Sequence, residues 1–83
     1  MARVVRNYHS NNVLYNEYFV IKGSKFGEFR DYDGYGKIIE SCSYYNSLKH
    51  GYKIYYNDYG KPMMLSKYNN DEYVEKSLLQ LYE

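Results

Sequence analysis

The sequence has no tryptophan, one cysteine, one proline and six glycines in 83 residues, and no apolar run exceeds the four residues Tyr18-Phe19-Val20-Ile21. A lone cysteine, Cys42, cannot close an intramolecular disulfide, so the chain is not a small stapled scaffold of the secreted kind. The expected compartment is therefore reducing: the cytoplasm, the nucleus or the inside of a virion. A four-residue apolar run falls far short of the roughly 20 residues needed to span a bilayer. The N-terminal Met1-Ala2-Arg3-Val4-Val5-Arg6-Asn7 leads into no apolar core, so no signal peptide is expected. A basic excess is missing too, with 11 Lys+Arg against 10 Asp+Glu. Nucleic-acid affinity rests on neutralising phosphates from a basic face, and Glu28, Asp31 and Asp33 interrupt any such face here. Anionic lipid likewise needs clustered Lys/Arg. Neither nucleic acid nor membrane is the expected partner.

What the chain has in abundance is tyrosine, 14 of 83 residues. Tyrosine favours strands and offers a large amphipathic contact surface. Its frequency, with abundant Asn and with Lys exceeding Arg, is also what an AT-rich genome encodes. The length allows one domain, 1–83, with little interior.

Sliding the sequence along itself by 24 residues aligns Gly27 with Gly51, Tyr32 with Tyr56, Tyr35-Gly36-Lys37 with Tyr59-Gly60-Lys61, and Tyr44 with Tyr68. One unit earlier, Tyr8, Arg6 and Lys25 align with Tyr32, Arg30 and Lys49. A fixed gap-free period signals repeat architecture, with units at about 3–26, 27–50 and 51–74. Each unit has a short segment ending in a column tyrosine, then a turn rich in Asn, Asp and Gly: 9–12, 33–36 or 57–60. A longer β-rich segment follows at 13–21, 37–45 or 61–69, then a second turn at 22–27 or 46–51. The expected fold is mainly β, a single-sheet antiparallel meander of six strands built from repeated β-hairpins. The third unit ends differently. Val74, Leu78, Leu79, Leu81 and Tyr82 recur at helical spacing, and Asn69 or Asn70 can cap. The pattern predicts a C-terminal capping α-helix over 71–82, as terminal repeats are often atypical.

The pattern Tyr-x-x-x-Gly-Lys followed by Tyr44-Tyr45-Asn46-Ser47-Leu48-Lys49-His50-Gly51 resembles the MORN repeat in its variant of about 24 residues. Gly27 to Gly60 carries the best match, and coverage is about residues 3–70. Ser47 stands where the family usually has Gly, and Asn12 stands where Gly is expected. This variant is abundant in giant DNA viruses of amoebae and in bacterial antitoxin-like proteins. The resemblance implies a stack of hairpins that acts in binding, scaffolding or dimerisation. It supplies no catalytic residues.

The candidate partner-binding residues are Tyr8, Tyr32 and Tyr56 in one column, Tyr44 and Tyr68 in another, and Tyr45 beside Tyr44. Such columns receive a ligand, or they stack across strands and hold successive hairpins together. A four-residue turn places Tyr32 opposite Lys37, and hence Tyr32 and Tyr44 on opposite faces. Both faces would then be aromatic. The other candidates weaken on inspection. His50 lies in a turn, and no second His or Cys stands at ligand spacing. Cys42 has no orienting third group, and Ser66 fills its column. Asp33-Gly34-Tyr35-Gly36 feeds a strand, whereas a phosphate loop feeds a helix. Asp33, Asp58 and Asp71 stand alone, not as a calcium loop. No catalytic, cofactor or metal site is expected. The expected function is a non-catalytic interaction module that associates with itself or binds a host or virion protein. The alternative is a small inhibitor or antitoxin-like protein that blocks a partner enzyme.

Overall fold

The computed structural model describes residues 2–78. They form one antiparallel sheet whose strand order follows the chain: β1 Ala2–Tyr8, β2 Leu14–Ile21, β3 Ser24–Tyr32, β4 Ile38–Tyr45, β5 Leu48–Tyr56, β6 Pro62–Asn69 and β7 Glu72–Leu78. The 24-residue period is the spacing between alternate strands, since β3, β5 and β7 begin at 24, 48 and 72.

Two kinds of turn alternate, one at each end of the strands. Lys22-Gly23, Asn46-Ser47 and Asn70-Asp71 are two-residue turns with φ of 50° and 82°, 51° and 67°, and 49° and 72°. Positive φ at both positions is the type I′ pattern, whose twist matches that of the flanking strands. Ser47 and Asp71 hold this conformation with a two-bond bracket to the preceding hairpin. The Ser47 amide donates to the Lys25 carbonyl at 2.8 Å and its hydroxyl accepts from the Lys25 amide at 2.9 Å. The Asp71 amide donates to the Lys49 carbonyl at 2.8 Å and its carboxylate accepts from the Lys49 amide at 2.7 Å. At the other end, the amides of His9, Asp33 and Asn57 donate to the carbonyls of Val13, Lys37 and Lys61. In the last two of these turns the Asp33 and Asn57 side chains each accept two further amides. Asn12 serves where the later copies have Gly36 and Gly60, with φ of 66° against 85° and 78°. Asn tolerates the left-handed region better than other side chains do.

Three expectations are corrected. There are seven strands among the described residues, not six. The turns expected at 22–27 and 46–51 shrink to two residues each. Gly27 and Gly51 lie inside β3 and β5, at or beside register shifts, with φ of 78° and 102°. A Cβ on Gly51 would stand 3.3 Å from that of Ser43.

The helix expected over 71–82 is the third correction: 72–78 is β7, and 79–82 lie outside the described residues. Asn70-Asp71 is a third copy of the tight turn, so the chain reverses and pairs with β6, with Tyr68 opposite Tyr73 and Ser66 opposite Lys76. Pairing satisfies the backbone groups that β6 would otherwise leave open. A twelve-residue helix is marginal without packing.

Tyr32 is opposite Ile38 rather than Lys37, and the pattern recurs as Tyr8 with Leu14 and Tyr56 with Pro62. Each register shift leaves one extra residue on the even strand, at Tyr15, Ile39 and Met63. Local bulges of this kind add twist.

No second layer covers the sheet in the described residues. The molecule is 41 × 34 × 17 Å, and its buried side chains are small or polar: Cys42, Ser41, Ser66 and Asn16. They lie within the even strands β2, β4 and β6, where both flanks are paired.

Candidate functional site

Pairing divides the side chains between two faces of different character. On one face Tyr18, Phe29 and Tyr44 stand on adjacent strands. Tyr18 and Phe29 stack at 4.7 Å with planes 8° apart, and Phe29 meets Tyr44 at 5.7 Å. Lys25 Nζ lies over all three rings, at 5.3, 5.1 and 5.4 Å from their centroids. Lys49 lies over Tyr68 at 5.1 Å and Lys53 over Tyr55 at 5.3 Å. Each lysine lays its methylene stem along apolar surface and its charge over a ring face. We call this the covered face.

Electrostatics on the covered face follow from this partial burial. Burial works against the Lys53 ammonium, but hydrogen bonds to Tyr55 and Glu40 outweigh it and hold its pKa above the ordinary value. Glu40 is 3.2 Å away. Burial, with the charge of Glu40 added, raises the carboxyl of Asp31, and burial also raises the Tyr44 phenol. Asn7 donates to the buried Asn16 at 2.8 Å. Cys42 is buried beneath this layer, and burial pushes its thiol up.

The opposite face carries Tyr8, Tyr32 and Tyr56. The Tyr32 hydroxyl donates to Glu17 at 3.0 Å, and the repeat-related pair, Tyr56 and Ser41, stands at 3.1 Å. Burial, then the bond to Glu17, raises the Tyr32 phenol. Glu17 also meets Arg6 at 3.2 Å and Arg30 at 3.6 Å, and Arg30 meets Glu28 at 3.0 Å. The hydrogen bonds that Arg30 donates to Glu28 hold it more firmly protonated than usual. Around this self-paired cluster the apolar groups are open to solvent. Of the thirteen large apolar or aromatic side chains exposed among the described residues, nine stand on this face. Phe19, Tyr45 and Tyr52 are 45, 61 and 48% exposed. We call it the open face.

The expected site residues therefore divide. Tyr44 and Tyr68 are on the covered face beneath Lys25 and Lys49. Tyr8 and Tyr45 are exposed on the open face, with Tyr45 edge-on to Phe26 at 5.2 Å. Tyr32 and Tyr56 are on the open face, half-buried and tied by their hydroxyls. Sequence reasoning passed over Phe19 and Tyr52 on the open face. It also passed over Tyr35 and Tyr59 at the turn tips, 91 and 88% exposed. The repeat alignment already placed Tyr35 over Tyr59 and Lys25 under Lys49, which was the available signal.

His9 and His50 serve turns. His9 Nε2 donates to the Tyr32 carbonyl at 3.2 Å, and His50 Nδ1 accepts from the Asn70 amide at 3.4 Å. His50 neighbours Tyr45 on the open face, so the sheet separates it from Cys42. Among the described residues no three His, Cys, Asp or Glu cluster as metal ligands would. A depression of about 180 Å³ lined by Val4, Arg6, Glu17, Phe19, Glu28 and Arg30 is smaller than the roughly 300–1,000 Å³ of small-molecule sites. No helix among the described residues is long and apolar enough to cross a membrane. Comparison with protein-family models, curated proteins and solved structures finds no match.

Proposed function

We propose that the chain is a non-catalytic interaction module of MORN-repeat type, working in the cytoplasm or, if viral, in a virion, and that the open face is its contact surface. One observation carries this reading: the chain lays its own lysines over aromatics of one face and leaves nine large apolar side chains exposed on the other. Contiguous exposed apolar surface of this kind marks association sites. The partner is a protein, either this chain again or a host or virion protein. The test is affinity capture from the native host read by mass spectrometry, beside the solution mass across a concentration series. Failure to capture any protein, together with a strict monomer, ends the interaction reading.

A second reading, a small inhibitor or antitoxin-like protein, draws on the turn tips. Tyr35 and Tyr59 project from turns braced by Asp33 and Asn57. Rigidly presented tyrosine gives contact area at low entropic cost, as insertion into an enzyme's cleft requires. Replacing both by Ala separates the readings. Loss of capture favours the tips, and unchanged capture favours the open face.

A further inference from the structure

We propose that the open face is covered by a second copy of this chain, packed face to face as a two-sheet sandwich. The inference rests on the interaction reading above and names its partner. Sheets bury a face against another layer, and this one has none among its described residues. The chain exposes 6113 Å², whereas a compact protein of 10.0 kDa exposes about 5,200 Å². Its radius of gyration of 13.7 Å exceeds the roughly 12 Å expected for a compact domain of this length. A standard interface takes about 800 Å² from each partner. A face of 41 × 34 Å has room for that.

Shape and charge favour a copy over an unrelated protein. Aligned sheet packing needs two surfaces of matched twist about 10 Å apart, and a copy has the same twist by construction. The open-face rows Tyr8, Tyr32, Tyr56 and Tyr15, Ile39, Met63 recur every second strand, which is about 9.6 Å. A second copy presents ridges of that same pitch. The charges in the β1–β3 half of the face, Arg6, Glu17, Glu28 and Arg30, already satisfy one another, so they impose no net repulsion between like faces.

Light scattering from about 1 μM to about 1 mM, a span covering Kd values typical of weak and moderate dimers, is expected to show the mass doubling. Phe19→Glu with Tyr52→Glu, both on the open face, should weaken dimerisation more than about tenfold, as central interface changes do. Tyr35→Glu, at a turn tip, should leave it unchanged. If the double variant loses its β spectrum, a benzophenone photocrosslinker decides instead. Carried on Phe19→Cys in a Cys42→Ser background it should yield covalent dimers; carried on Val20→Cys, one residue along and on the covered face, it should not. A mass constant at one chain, or crosslinking from Val20→Cys alone, overturns the proposal. A monomer that still captures another protein sinks only the second-copy proposal, whereas a monomer that captures nothing sinks the interaction reading as well.

Discussion

The two faces of this sheet are built from the same repeat and the same tyrosine-rich composition, yet they end in different states. On the covered face, aromatics from β2, β3 and β4 stack in a row, and Lys25 spans the row from above. On the open face the charged groups pair with one another and with Tyr32, and they leave Phe19, Tyr45 and Tyr52 in water. A single-layer sheet has to stabilise itself from both sides without an interior. The covered face does so with apolar stacking under a lysine stem; the open face does so with hydroxyl and carboxylate bonds. The first arrangement closes a surface and the second leaves one available.

The sharpest break of this comparison is truncation on each face. Phe29→Ala removes the middle ring of the covered row and should cost about 3 kcal/mol, the low end for aromatic truncation because the ring is only half-buried. Phe19→Ala, measured below the association range, should cost under about 1 kcal/mol. Chemical denaturation midpoints give both. Equal losses would mean that the faces contribute alike.

Next in size is Tyr32→Phe, which deletes the donor to Glu17 and should cost about 1.5 kcal/mol, since the acceptor is charged. Tyr56→Phe, whose partner is the neutral Ser41, should cost about half as much. The ratio between the two melts tests whether the charge cluster holds the open face.

Lys25→Met keeps the apolar stem and removes the cation. It should cost about 0.5–1 kcal/mol, and the loss should shrink as salt is added. A salt-independent loss would assign the stabilisation to the stem alone.

The smallest effect is a pair of opposite pH dependences. Burial raises Asp31 in the folded state, so its ionised form is a penalty at neutral pH. Asp31→Asn should therefore stabilise above the ordinary carboxyl range, and the gain should fade as pH falls through the raised value toward 3.8. Asp33 is lowered by the Lys37 and Tyr35 amides. Its contribution is present above 3.8 and is lost as pH falls through its depressed value. Urea midpoints of the two Asn variants between about pH 3 and pH 7 should move in opposite directions.

The period, the column tyrosines and the turn chemistry are legible in the residues because they are local. Asp33-Gly34-Tyr35-Gly36 and Asn57-Asp58-Tyr59-Gly60 bend the chain wherever they occur, by side-chain bonds to nearby amides and a glycine in the left-handed region. The antiparallel meander follows from them. The turn at Asn70-Asp71 was harder to read. Neither residue is glycine, and the bracket that holds Asp71 in place comes from Lys49, 22 residues earlier. Without that partner, Val74 and Leu78 look like a helical stripe; with it, the segment is a seventh strand. The division of the tyrosines between two surfaces was decided by the tertiary structure as well. A one-residue change of register moves every later side chain to the other face, and the shifts at Tyr8, Tyr32 and Tyr56 are fixed only when two strands are paired. The sequence by itself determined where this chain turns and how often it repeats, because those are contests among near neighbours. Only the assembled sheet decided which aromatics a lysine covers, because Lys25 reaches Tyr18 and Tyr44 across strands that the pairing alone brings together.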